Sequence, residues 1–202
     1  MPTDPPPVLF AHDFGAAPGS ESPIALPPGA SIEGGHLRFT VDAPSTAAGL
    51  PLGNRPFGDV VLQTQVSLVE GADDDLYGIF VRRPVDGPRQ GRFACFMMGP
   101  GGRVVVQGFD GQAFHPVIDG PLGQGLTFAP GRCDPNLFQA VVAGPQVTFF
   151  LNHAVIIGLT VDLPLMAGEV GLFVHHGPTS ARATIAVDWV HVGALMAPNV
   201  YR

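Results

Sequence analysis

The chain has 202 residues, 27 of them Gly and 22 Pro, and carries a net charge of −7 with charged residues at only 13%. Its basic residues are all Arg and scattered, which speaks against a nucleic-acid surface, and its apolar runs stay below about ten residues, which speaks against a helical membrane span. Gly and Pro leave no uninterrupted helical stretch, so the length suits one β domain of many strands and turns that buries roughly 70% of its extended surface without staples.

In chain order, residues 1–7 form a Pro-rich lead, 8–193 the expected domain and 194–202 a tail. The start "MPTDPPPVLF" has neither a basic nor an apolar leader region, so no signal peptide is expected. "VLFAHDF" is a short strand, and "GAAPGSESPIALPPGA" is a loop by its Pro and Gly content. "HLRFTVD" alternates: Leu37, Phe39 and Val41 face one way, Arg38 and Thr40 the other. "APSTAAGLPLGNRPFG" reads as loop again. In "DVVLQTQVSLV", Leu62, Val66 and Leu68 point inward, and Gln63, Gln65 and Ser67 outward.

"LYGIFVRR" puts Phe80 and Arg82 on one face, with Tyr77 and Ile79 on the other. "RFACFMM", "RVVVQGF", "AFHPVI", "LFQAVVAG", "QVTFFL", "AVIIG", "VGLFVHH" and "ATIAVDWVHV" complete about a dozen strands. Turn signals separate them, among them "DGPRQG", "GPGG" and "AGPQ". Regular short strands without a fixed repeat predict an antiparallel sandwich or barrel. Between "QVTFFL" and "AVIIG", Asn152-His153 fits a two-residue hairpin turn, because Asn and His visit positive φ more readily than most residues. That makes His153 a turn residue and not a catalytic one.

The ordered pieces "HDF", "GGHLRFTV", "FGDVVLQTQV", "YGIFVRR", "RFACFMMGPGGRVVV", "PNLFQAVVAGPQVTFFLNHAVI", "GEVGLFV" and "VDWVHV" resemble the concanavalin A-like lectin/glucanase superfamily. The likeness is to laminin-G-like jelly-roll domains related to the bacterial 3-keto-glycoside hydrolase group, and it covers about residues 8–192. It implies an all-β, two-sheet antiparallel jelly-roll sandwich with one convex and one concave sheet, the concave sheet and its rim loops being the usual ligand surface. It also suggests an extracytoplasmic or surface-associated protein. Glucanase members carry Glu-x-Asp-x-x-Glu on one strand, and this chain has no such pattern.

The acids otherwise read as turn chemistry: Asp86-Gly87, Asp110-Gly111 and Asp119-Gly120. Asp188, among apolar neighbours, reads as a structural hydrogen-bonding acid. Asp73, Asp74 and Asp75 read as a solvated hairpin tip, with Ca²⁺ binding as the alternative that oxygen ligands allow. No other cofactor is expected. His175 and His176 are adjacent in a strand and point to opposite faces, which disfavours a shared metal. Cys95 in a strand and Cys133 in a loop are expected to be free thiols. There is no Gly-x-Ser-x-Gly and no phosphate-binding loop.

Surface recognition remains. Arg82, Gln107 and His115, with Phe96, supply the planar polar groups and the ring that sugar binding uses, and they are expected on the concave sheet. Trp189 reads as core. The functional expectation is a non-catalytic carbohydrate-binding or accessory module. The alternatives are a self-assembling structural protein and, less supported, a glycoside-processing enzyme. With 46% apolar residues, and strands such as "RFACFMM" apolar on both faces, a homomeric contact is expected to cover outer apolar surface.

Overall fold

Alternation in the sequence becomes alternation in space. In the computed structural model, which describes residues 7–15, 26–53, 55–85, 92–123, 126–129, 133–160 and 167–195, strands are the regular elements and no helix occurs among the described residues. Most of the Pro-rich lead, the tail beyond 195 and the expected Asp86-Gly87 turn lie outside them. The strands are β1 (Val8–Asp13), β2 (Ala30–Glu33), β3 (His36–Val41), β4 (Thr46–Pro51), β5 (Val60–Glu70), β6 (Leu76–Arg83), β7 (Phe93–Met98), β8 (Arg103–Phe109), β9 (Phe114–Pro121), β10 (Asn136–Ala143), β11 (Gln146–Leu151), β12 (Ala154–Thr160), β13 (Glu169–His176) and β14 (Ala183–Ala194).

They pair antiparallel in two sheets. The eight-stranded sheet runs β12-β11-β10-β5-β14-β3-β2, with β1 also on β14, and the six-stranded sheet runs β4-β13-β6-β7-β8-β9. The inward residues read from alternation meet between the sheets. Leu37, Phe39, Leu62 and Val66 pack with Ile79, Phe96, Leu172 and others in one core. The fold is the expected jelly-roll sandwich.

Several local readings are corrected. β4 falls in a stretch read as loop, and β2 starts on the last residue of another, Ala30, and runs through residues assigned to no element. β4, "TAAGLP", has no β-branched residue beyond Thr46, and its strand state comes from pairing with β13, an instance of tertiary context outweighing propensity. Asp119-Gly120 is not a turn: Asp119 pairs with Val105 inside β9. Trp189 lies outside the core. A bulge between Val187 and Trp189 puts Asp188 and Trp189 side by side, both half-buried, and the indole N–H donates to Gln65 Oε1 at 2.9 Å. Asp188 Oδ1 is hydrogen-bonded to His36 Nδ1 at 2.8 Å, which is the structural role expected of it.

Candidate functional site

The outer face of the six-stranded sheet holds a second apolar cluster. Leu76, Phe80, Phe93, Cys95, Met97, Val105 and Phe173 are each no more than 5% exposed. β7 is buried along its whole length, as its two apolar faces demand. This burial is achieved within a single chain, so the apolar character of this face does not call for a second copy.

Five rings pack together on this face, four of them in or against the cluster and the exposed Phe114 at its edge. Phe109 and Phe114 approach to 4.8 Å, Phe93 and Phe109 to 5.1 Å, and Phe93 and Phe114 to 5.9 Å between centroids. Phe173 lies 6.1 Å from Phe114 and 6.4 Å from both Phe80 and Phe93. Phe173 and Phe114 stand on β13 and β9, four strand spacings apart, roughly 19 Å on a flat sheet. Their rings meet because the sheet curls toward them, which makes this face concave. Two glycines admit the packing. A Cβ on Gly171 would sit 2.6 Å from the Phe80 ring and 2.2 Å from Leu50 O, and one on Gly78 would sit 2.0 Å from Phe96 O.

Arg83 borders the rings. Its Nε donates to Glu169 Oε2 at 2.8 Å, its Nη1 to Gly49 O at 3.4 Å, and its guanidinium lies 4.4 Å from the Phe80 centroid. The pair is largely buried, its side chains 13% and 11% exposed. Between Arg83, Ala47 and Gly49 on one side and the rings of Phe93, Phe109, Phe114 and Phe173 on the other lies a pocket of about 210 Å³. The same strands carry one further acid, Asp119, which accepts two bonds of 2.8 Å from Arg103. Those bonds hold the Asp119 carboxyl below its usual range.

The four residues singled out in the sequence are not brought together. Gln107, half-buried on β8, sits beside Cys95 on the concave face. His115 is exposed, bonded at 2.7 Å to Asp110 Oδ2, and lines a separate depression with Arg92 and Thr160. Phe96 is fully buried between the sheets. Arg82 is 1% exposed. Its guanidinium donates to Asp59 Oδ1 at 3.0 Å and to the carbonyls of Phe57 and Gly144, both at 3.3 Å. The reason is a bulge: Arg82 has φ 64°, and the ladder with β13 shifts between Glu169 and Gly171. The alternation that places Phe80 outward therefore skips Arg82 and delivers Arg83. The ring nest was missed because its members lie on five strands and share no sequence period.

The acid run is also corrected. Asp75 is buried and accepts bonds from the N–H groups of Ala72 and Gly177 and from Ser180 Oγ. Asp74 accepts from the N–H and hydroxyl of Thr179, and that hydroxyl holds its carboxyl below the usual range. These acids tie the β6 approach to the loop after β13 and are not a solvated tip. Among the described residues no group of three or more His, Cys, Asp and Glu is placed to hold a metal ion. Cys95 and Cys133 are both free thiols.

No family model matches the sequence, and no curated protein matches it. Solved structures do match in shape. A prokaryotic β-1,3-1,4-glucanase (lichenase) from a mouse hindgut metagenome superposes with a TM-score of 0.61 at 12% identity, covering 92% of this chain and 99% of its own. The laminarinase catalytic domain of Thermotoga maritima gives 0.65 at 12% identity, covering 95% and 99%. The carbohydrate-binding module CBM66 of Bacillus subtilis gives 0.59 at 12% identity, covering 93% and 97%. The expectation that the chain is not an enzyme is corrected by this comparison. Glucanase catalytic domains share its fold over nearly their whole length, so a missing Glu-x-Asp-x-x-Glu strand is too narrow a ground for excluding hydrolase activity. Over at least 92% of its length, this chain has the concanavalin A-like jelly-roll fold.

Proposed function

We propose that this chain is a carbohydrate-interacting domain whose ligand lies on the concave face of the six-stranded sheet. One observation carries the reading: a ring-lined pocket with an anchored guanidinium, Arg83, opens on that face. The rings give a ligand apolar anchorage, and the exposed Arg103–Asp119 pair on the same face offers polar partners to sugar hydroxyls. Gln107 adds an amide on the same face. The similar structures include a lichenase, a laminarinase and a carbohydrate-binding module, which supports a carbohydrate as the ligand class.

The test reads binding and turnover together. Oligosaccharides of mixed-linkage and β-1,3-glucan are titrated calorimetrically, and the same mixtures are assayed for new reducing ends. Saturable binding or sugar release that is lost in Arg83→Ala, with the fold intact by circular dichroism, supports the reading. Binding or release unaffected by Arg83→Ala and by Phe114→Ala would remove this face from consideration. Reducing-end release separates a hydrolase from a binding module.

A further inference from the structure

The chemistry of the pocket selects among carbohydrates. We infer that the pocket walled by Phe93, Phe109, Phe114 and Phe173 takes an aryl group, so that the preferred ligand is a glycoside carrying an aromatic substituent. This rests on the carbohydrate reading above and narrows it.

Among the described residues lining the pocket, Arg83 alone has a polar side chain, and that side chain is already committed to Glu169, to Gly49 O and to the Phe80 ring. A sugar ring placed inside would bring several hydroxyls against phenyl walls. Each hydroxyl would lose its water and find no partner, which opposes entry. An aryl ring has no such groups. It also meets rings tilted 87° (Phe93 with Phe114) and 67° (Phe114 with Phe173) to one another, so the walls offer both faces and edges to an aromatic guest. Size agrees. An apolar engineered cavity of roughly 150 Å³ takes up benzene, and this pocket measures about 210 Å³. The sugar then remains outside, on the stretch of the face where Gln107 and the exposed Arg103–Asp119 pair supply polar partners.

The experiment uses the full chain and three probes: 4-nitrophenyl β-glucoside, methyl β-glucoside and 4-nitrophenol. The aryl glucoside is expected to bind at least about tenfold more tightly than the methyl glucoside, the order of gain that burying one aromatic ring gives. It is also expected to bind more tightly than 4-nitrophenol alone. Ala47 is exposed on edge strand β4, so Ala47→Phe fills the pocket from its rim without entering the core, and it should abolish the aryl advantage. Phe114→Ala, which removes a partly exposed wall, should weaken the aryl glucoside several-fold, and this second variant keeps the test alive if the first misfolds. If β-glucan oligosaccharides bind or are cleaved while the aryl glucoside shows no advantage, or keeps it in both variants, the aryl assignment is overturned and the carbohydrate reading stands. If 4-nitrophenol binds as tightly as its glucoside and no glycan binds or is cleaved, the carbohydrate reading falls together with the narrower one.

Discussion

Arg82 and Arg83 are neighbours in the chain with opposite fates. Arg82 is sealed inside, tying the segment around Phe57 and Asp59 to the β10–β11 turn at Gly144. Arg83 serves the concave face. Arg82→Ala should therefore cost about 2–4 kcal/mol, because the carbonyls and Asp59 lose a shared buried donor. It should leave the affinity for any glycan unchanged, and denaturant unfolding beside a binding titration measures both. A sequence reader cannot separate the two residues. The phase break is a positive φ at an Arg, a residue that does not advertise one. The exposed acids give a pH signature. Hydrogen bonds from Arg103 lower the Asp119 carboxyl, and the N–H groups of Ala113 and Gln112, with His115, lower that of Asp110. Folded values below the unfolded ones mean stability that is complete above the unfolded carboxylate range, near 4, and is lost as pH falls through the folded values. Melting temperature followed from about pH 5 to pH 2 should fall, and Asp119→Asn should flatten that fall.

The hairpin of β11 and β12 shows how much of an element the chain spells out locally. Asn152 and His153 have φ of 47° and 69°, the double left-handed turn that the two apolar flanks anticipated. His153→Gly relieves a side chain held in that region and should raise stability by up to about 1 kcal/mol. Asn152→Gly keeps the backbone preference yet should cost about 1–3 kcal/mol. The Asn152 side chain accepts from Leu137 N at 2.8 Å and donates to Asn136 Oδ1 at 2.9 Å and to Thr127 O at 3.1 Å. Chemical unfolding of the two variants, which differ by one position in a turn, should shift in opposite directions. The turn was legible because its φ requirement is local. The hydrogen bonds of Asn152 were not, since their partners lie 15 or more residues away. Strand β4 was illegible for the complementary reason: its small residues carry no β signal, and Gly49 is small because Arg83 and the Phe80 ring lie over it.

At the scale of the molecule, the class of fold was readable from strand alternation and from the order of its pieces, while the site was not. The pocket depends on sheet curvature, which brings rings from separate strands together and leaves no mark at any single position. Among the described residues, most of the large apolar side chains are buried inside one chain in two clusters, one between the sheets and one on the concave face. Light scattering at high concentration should accordingly return the mass of a single chain, 21.1 kDa. Strand β14 is the seam of the larger sheet, pairing with β1, β3 and β5. During synthesis, then, the first strand has no partner until the last has left the ribosome. The wholly apolar β7 is already made for about half of that time, and long-range pairing of this kind is slow and prone to aggregation. Ribosome-stalled chains ending before Ala183 should be digested readily by protease and held by chaperones, whereas chains with residues 183–194 free of the tunnel should become resistant in one step.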